Sequence, residues 1–416
     1  MLDLTTVCND NLFNKDKQDT LLKNNNIIKK NLILNDNMYS VLCYDKEYLN
    51  KENYDTIGKF RSIVLKNNQV MCYSPEKSLT YEEFIKKKSD NLIMEDFVEG
   101  TMINLFWDST YENSAGSWEI STRTKVGGAN YFCFNDNEKL TFREMFLEAC
   151  EKINLEFDLL PKEYCYSFVL KHNQNRLVSP VGSSELYIIA AYKIEEYKII
   201  YIPRSFIMKL GIIKESKLSV PQEFFKYEDK NWNKFERTIE KYKNGLIPYF
   251  SQGLVITDLD NNIRYKLYNP NFIEAKNLSG NQPKLHYQYL VLRQNNKVRD
   301  FLKYFPQYKN ECQKYKDQIH DYTRQLHNNY VSCFIHKKQP LGEYPYKFKN
   351  HMYHLHKYYI NTLMSEKKVV DFHFVINYFN NLHPAQQLYI LNHNLKQQNN
   401  DQKTLNIIKS LELLEQ

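Results

Sequence analysis

The spacing of apolar residues changes once along this chain, and the change divides it into two kinds of structure. From about residue 41 to 275 apolar residues come in short runs broken by polar turns. Examples are Ser62-Ile63-Val64-Leu65, Met102-Ile103-Asn104-Leu105-Phe106-Trp107, Trp118-Glu119-Ile120-Ser121-Thr122, Tyr166-Ser167-Phe168-Val169-Leu170 and Leu186-Tyr187-Ile188-Ile189-Ala190-Ala191. Short spans rich in β-branched and aromatic residues predict strands. Residues 80–88 and 141–153 mix Lys, Glu, Leu and Phe at helical spacing, which predicts helices. After about residue 285 the period becomes helical. Cys312, Tyr315, Ile319, Tyr322, Leu326 and Tyr330 fall three or four apart, as do Met352, Leu355, Tyr359 and Leu363, and then Val370, Phe374, Tyr378 and Leu382. Each set is an apolar stripe along one side of a helix. The fold class is therefore α+β in the body, followed by an all-α C-terminal domain.

Residues 1–40 are polar and asparagine-rich and read as a loosely packed lead-in, so the expected divisions are 1–40, 41–280 and 281–416. Charge follows the same division. From Lys276 onward there are 20 Lys and Arg against 10 Asp and Glu, a net of +10, while the remainder carries 36 against 39, a net of −3. A near-neutral body with a basic, tyrosine-interleaved C-terminal third predicts contact with a polyanion, RNA above all. The 8 cysteines are scattered without a Cys-x-x-Cys pair, which predicts reduced, buried thiols rather than a disulfide framework or a zinc site. No leader pattern opens the sequence, and no run reaches the roughly 18–20 apolar residues that a membrane helix requires. The expected location is the cytoplasm.

Five segments of the body stand in a particular order. The first is Lys59-Phe60-Arg61-Ser62-Ile63-Val64, with Ser74-Pro75-Glu76-Lys77-Ser78 after it. The second is Phe97-Val98-Glu99-Gly100-Thr101-Met102-Ile103. The third is Ser117-Trp118-Glu119-Ile120-Ser121-Thr122-Arg123. The fourth runs from Ser167-Phe168-Val169-Leu170 to Asn175-Arg176-Leu177-Val178. The fifth joins Gln252-Gly253-Leu254-Val255-Ile256 to Arg264-Tyr265-Lys266.

In this order the segments resemble the nucleotidyltransferase domain of T4-type RNA ligases, within the polynucleotide ligase and mRNA-capping superfamily. The stretches Val-Glu-Gly-Thr-Met-Ile-Asn and Ser-Phe-Val-Leu are most similar to degenerate ligase-like proteins of large nucleocytoplasmic DNA viruses. The resemblance implies an ATP-grasp-like ligase core of antiparallel sheets enclosing a nucleotide cleft, with ATP and Mg²⁺ as expected cofactors. It also implies losses. Phe97 stands where the family has its lysine nucleophile, and a benzyl group cannot attack an α-phosphate. Val169 and Gln252 stand where the family has glutamates that bind metal. What persists is of another kind. Arg61, Lys77, Glu99, Gly100, Arg176, Arg264 and Lys266 match positions that would surround a bound nucleotide. Groups that bind are kept and groups that make bonds are lost, so the resemblance implies an RNA- or nucleotide-binding protein without self-adenylation. The helical C-terminal domain resembles in position the substrate-specifying domain of T4-type RNA ligase 1, with tRNA or structured RNA as the implied partner.

Two other functions fit the same residues. One is an active ATP-dependent RNA ligase or guanylyltransferase with a displaced nucleophile, Lys125 or Lys77. The other is a non-enzymatic viral structural or assembly protein that inherited the fold. The His351-Met352-Tyr353-His354-Leu355-His356 cluster is read as packing rather than metal ligation. Positions i and i+3 share a helix face, i+5 points elsewhere, and no carboxylate or cysteine lies at ligand spacing.

Overall fold

The computed structural model describes residues 4–8, 15–50, 52–111, 115–130, 140–280 and 284–393. It separates into two compact units, Met1–Asn277 and Leu278–Gln416. Among the described residues the first unit holds three antiparallel sheets and the second is helical.

The first sheet is a four-stranded meander of β1 (Ile27–Leu34), β2 (Asn37–Tyr44), β3 (Ile63–Lys66) and β4 (Gln69–Tyr73). Its first two strands fall in the supposed lead-in, so that expectation is corrected: every residue from Ile27 to Leu34 pairs with one from Asn37 to Tyr44. The turn between them is made by Asn35 and Asp36, both at positive φ, which asparagine and aspartate tolerate best among non-glycine residues. An asparagine-rich composition concealed a hairpin.

The other two sheets form the site. One has the order β11 (Glu223–Lys226), β5 (Leu92–Asp96), β12 (Gly253–Asp258), β13 (Ile263–Tyr268). The other has the order β10 (Lys198–Ile202), β9 (Glu185–Glu195), β8 (Tyr164–Lys171), β6 (Thr101–Asp108), β7 (Ser117–Ser121). Strand alternation gives each sheet a core face and an opposite face. Met94, Leu254, Ile256 and Leu267 are buried with Phe84, Phe225 and Tyr242 behind the first of these two sheets. Ile103, Phe168, Leu170 and Ile188 are buried with Met145, Phe146 and Ala149 behind the second. The last three come from the helix Phe142–Lys152, whose Thr141 and Glu144 form a capping box at its start. The helix Tyr81–Lys87 was expected likewise, and it packs Phe84 into the other core.

In the second unit, the first expected stripe lies on the helix Lys309–Tyr330. The second begins on Tyr346–Tyr358 and continues into the turn Tyr359–Leu363. On Phe372–Asn380 the buried residues are Val375 and Phe379, so the third stripe is corrected by one position. The histidine cluster is packed. His351 Nδ1 meets the Tyr378 hydroxyl at 2.8 Å, and His356 stacks on Phe334 with ring centroids 3.9 Å apart. Burial, with His354 nearby, pushes His351 down to about 4. The described cysteines are all buried; Cys133 lies outside the described residues. No described helix is long and apolar enough to cross a membrane.

Candidate anion-binding cleft

Between the two site sheets lies a cleft of about 690 Å³, within the range of small-molecule sites. Its wall follows from register. Lys266 is opposite Val255, which is opposite Glu95; Arg264 is opposite Thr257, which is opposite Ile93. Because alternate residues share a face, these six side chains form two adjacent rows that line the cleft. From the other sheet come Met102 and its register partner Val169, with Ala190 and Tyr192 from β9.

The chain passes from one sheet to the other through residues 97–100, between the end of β5 and the start of β6. Two glycines fix this seam. Gly100 has φ +152°, and a Cβ there would meet the Leu170 carbonyl oxygen at 2.4 Å. Gly253 has φ +151°, and its Cβ would meet the Leu267 carbonyl oxygen at 2.0 Å. No other residue type tolerates both the angle and the approach. The Phe97 N–H donates to the Gly253 carbonyl at 2.9 Å, which carries the pairing of β5 with β12 to the start of the crossing.

Phe97 itself is half-buried and lines the cleft. Its ring packs edge-on against Tyr268, centroids 5.3 Å apart, and the Lys266 ammonium sits over its face at 4.1 Å. The residue read as the missing nucleophile thus touches the retained cation of the last motif. Val169 also lines the cleft and presents only methyl groups.

Behind Lys266 other cations gather. Burial holds the Lys266 amine well below the usual lysine range, and Arg61, Arg264 and Lys77 add to the effect. Burial and then Arg61, Arg123 and Lys46 lower Lys77. Arg123 is the largest cause of the lowered Lys46, ahead of burial and of Lys276 and Arg61. Arg61 is lowered mainly by its own burial, with Arg264 second. None of Lys46, Arg61, Lys77, Arg123, Arg264 and Lys266 has a carboxylate partner among the described residues. Backbone carbonyls and rings hold them instead. Arg61 donates to Pro75 O at 3.4 Å and Arg264 to Glu76 O at 2.6 Å. Arg123 lies over the Tyr44 ring at 5.1 Å and Lys77 over Tyr54 at 5.9 Å.

Magnitudes decide what this arrangement needs. A cation–π contact contributes about 0.5–2 kcal/mol, whereas removing an ammonium from water costs several kcal/mol. Rings position these cations without neutralising them. Lys266 and Arg264, the two that line the cleft, are stabilised most by an anion, and phosphate is the anion that matches both ammonium and guanidinium donors.

Arg61 and Lys77 couple to Lys266 electrostatically but are not among the residues that line the cleft, and other expected site residues fall elsewhere. Glu99 is buried, and its carboxylate accepts from Val178 N at 2.5 Å, from Ser179 N at 3.0 Å and from the Ser179 hydroxyl. It fastens the seam to the 178–179 loop and has no oxygen turned to a ligand in the cleft. Arg176 donates to Val178 O at 3.1 Å beside the same loop, outside the cleft wall. Gln252 precedes the seam glycine and contributes its carbonyl to Asn269 N; it too is outside the wall. Lys125 is exposed and outside the wall. Sequence reasoning did not single out Lys46 and Arg123, whose charges act on Lys77 although neither lines the cleft. Arg123 had a signal, since it ends the third segment just past a strand; Lys46, in the turn after β2, had none.

The carboxylates of the cleft do not assemble a resident metal site. Glu95 pairs with Arg204, and Glu223 pairs with Lys226 at 2.7 Å. Burial raises Asp96, so it gives up its proton less readily than an ordinary aspartate. Glu228 also lines the wall, yet no three Asp, Glu, His or Cys side chains converge to hold a metal among the described residues.

No protein-family model matches the chain, and no curated protein matches its sequence. It is similar to several solved structures. A chain from Aquifex aeolicus assigned as an ATP-dependent DNA ligase has 12% identity, with 84% of this chain and 81% of that chain covered and a TM-score of 0.41. An archaeal ATP-dependent RNA ligase has 10% identity, 73% and 75% coverage and a TM-score of 0.39. A variant of the Naegleria gruberi RNA ligase with ATP and Mn has 9% identity, 63% and 83% coverage and a TM-score of 0.34.

Proposed function

We propose that this protein is an RNA ligase-like nucleic-acid-binding protein that holds a nucleotide or an RNA end non-covalently in the cleft between its two site sheets. The observation that carries the reading is the contact between Phe97 and Lys266. At 4.1 Å the ring occupies space beside the retained cation, where covalent chemistry would need an amine. The binding surface is Arg264 and Lys266 on β13, with Arg61 and Lys77 close behind. The antiparallel, two-sheet cleft is the architecture that the T4-type resemblance implies, and the viral affinity of the Val-Glu-Gly-Thr-Met-Ile-Asn stretch belongs to the same reading. RNA is the partner that the basic C-terminal unit suits, and ATP is the nucleotide to try first.

Incubation with α-labelled ATP or GTP tests the non-covalent claim. The expected result is retention of label under native conditions and its loss on denaturation. One rival has an observation in its favour, because the Lys77 and Lys266 amines are both depressed, as nucleophilic lysines are. A denaturation-resistant label that disappears in Lys266→Arg or Lys77→Arg would replace the binding-only reading with a displaced nucleophile.

A further inference from the structure

Where the first sheet packs against the second site sheet, two cysteines are buried together. Cys72 on β4 and Cys165 on β8 share one core with Val64, Phe106, Ala190 and Tyr192, and both are almost wholly excluded from solvent. Their sulfurs converge on a single atom. The Tyr73 carbonyl oxygen lies 3.6 Å from Cys165 Sγ and 4.0 Å from Cys72 Sγ. The residues around them tie the same two sheets. Tyr73 packs edge-on against Tyr192 with centroids 5.2 Å apart, and Tyr192 is the register partner of Cys165 and part of the cleft wall. The two thiols differ in character. A hydrogen bond from Cys72 lowers Cys165, whereas burial holds Cys72 up. Cys43, Cys150, Cys312 and Cys333 are all raised by burial. A lowered thiol beside a second thiol is the arrangement of an attacking sulfur and its resolving partner.

We propose that Cys72 and Cys165 form an oxidation site, in which hydrogen peroxide converts the pair to a disulfide that joins β4 to β8 behind the cleft wall. The site is separate from nucleotide binding and does not depend on it. The Cys165 sulfur attacks one peroxide oxygen, the O–O bond breaks, and the leaving oxygen takes the thiol proton and departs as water. Cys165 is then a sulfenic acid. The Cys72 sulfur attacks the Cys165 sulfur, the S–S bond forms, the S–O bond breaks, and hydroxide leaves with the Cys72 proton as a second water. The two thiols supply the two electrons that reduce one peroxide. Access comes through β4, an edge strand paired on one side only, to β3, with a register shift between Val64 and Leu65. Local opening of such an edge admits a molecule as small as peroxide. The bond closes a long loop of chain, which stabilises the folded state.

The test treats the full chain with hydrogen peroxide, alkylates the remaining thiols under denaturing conditions and maps the peptides by mass spectrometry without reduction. Peroxide should remove two of the 8 thiols and yield a linked pair of Cys72 and Cys165 peptides that dithiothreitol separates. The melting temperature should rise by about 5 °C and return on reduction. Cys72→Ser should stop the reaction at the sulfenic acid of Cys165, which dimedone labels, whereas Cys165→Ser should leave Cys72 unlabelled. Cys150→Ser, in the core on the other face of the same sheet, is the control and should oxidise as the unsubstituted protein does. Circular dichroism establishes that each variant is folded, and Cys72→Ala or Cys165→Ala takes the place of a serine variant that is not. Absence of thiol loss, preferential linkage of other cysteines, or an unlabelled Cys165 in the Cys72 variant overturns the proposal.

Discussion

Phe97 is where the chemistry of this cleft turns, and its substitution has a consequence peculiar to the site. Phe97→Lys would place a second ammonium beside Lys266, in a cleft where Glu95 is already paired with Arg204 and burial raises Asp96. The expected cost is about 2–4 kcal/mol from burying an uncompensated charge. Pyrophosphate should restore most of it. Melting temperature with and without pyrophosphate reads this directly: the variant's gain should exceed that of the unsubstituted protein, and equal gains would separate Phe97 from the anion site. Phe97→Leu, which keeps the apolar contact and loses the ring face, should cost only about 1 kcal/mol. Lys266 makes a second prediction, concerning pH. Its folded-state amine titrates well below its unfolded counterpart, mainly through burial. Between that lowered value and about 10.4 the unfolded chain binds more protons than the folded one. Stability from this lysine therefore rises with pH through that window, and falls as pH drops toward the lowered value. Phosphate binding runs the other way, because it favours the ammonium. Affinity should decline as pH rises, with net proton uptake on binding, measurable by calorimetry in buffers of different ionisation enthalpy. Lys266→Met should flatten both dependences.

At the scale of elements, the seam of residues 97–100 carries the chain from one site sheet to the other, and Gly253 permits the close approach of β12 to β13. Gly253→Ala would force a methyl to within 2.0 Å of the Leu267 carbonyl, on a backbone angle alanine rarely adopts. A loss of about 2–4 kcal/mol is expected, with β12 and β13 displaced and phosphate affinity reduced in step. Glu99→Ala should cost about 3 kcal/mol, since it leaves the Val178 and Ser179 donors unpaired in a buried place. Urea denaturation with titration of the folded fraction separates the two effects. Glu99→Ala should lower stability with little change in intrinsic affinity, as a brace does and a ligand-contacting residue does not. The site was partly legible in sequence for physical reasons that these elements expose. Arg264 and Lys266 were legible because a strand puts i and i+2 on one face. Phe97 and Gly100 were legible as departures and retentions at fixed spacing. Glu99 and Arg176 were assigned to the ligand because spacing reports neighbourhood and not direction, and both side chains turn to the loop. Lys46 was not legible at all, since it joins the cluster only through the packing of the first meander. That meander was hidden too: in Ile27-Ile28-Lys29-Lys30-Asn31-Leu32 apolar and polar residues come in blocks, two apolar and then three polar, which breaks the alternation by which a strand is recognised.

At the scale of the molecule two basic surfaces have different work, and salt dependence tells them apart. The cleft cations Arg264 and Lys266 lie within Met1–Asn277, whereas the unit Leu278–Gln416 carries the chain's net positive charge with exposed lysines such as Lys297, Lys337, Lys338 and Lys368. Exposed lysines contact phosphates one at a time and release counterions, so each contact adds about −0.7 to the slope of log K against log salt for single strands. Replacing those four by Gln should therefore make the slope for a 5′-hydroxyl RNA shallower by up to about 3 units, at nearly constant discrimination between 5′-triphosphate and 5′-hydroxyl ends. Arg264→Gln with Lys266→Gln should do the reverse: end discrimination falls while the slope for 5′-hydroxyl RNA hardly moves. Filter binding across 50–300 mM salt with both RNAs measures the two quantities on the same samples. If the helical-unit variant lost end discrimination as well, the two surfaces would be reading the same phosphates, and the division of labour between cleft and basic domain would be wrong.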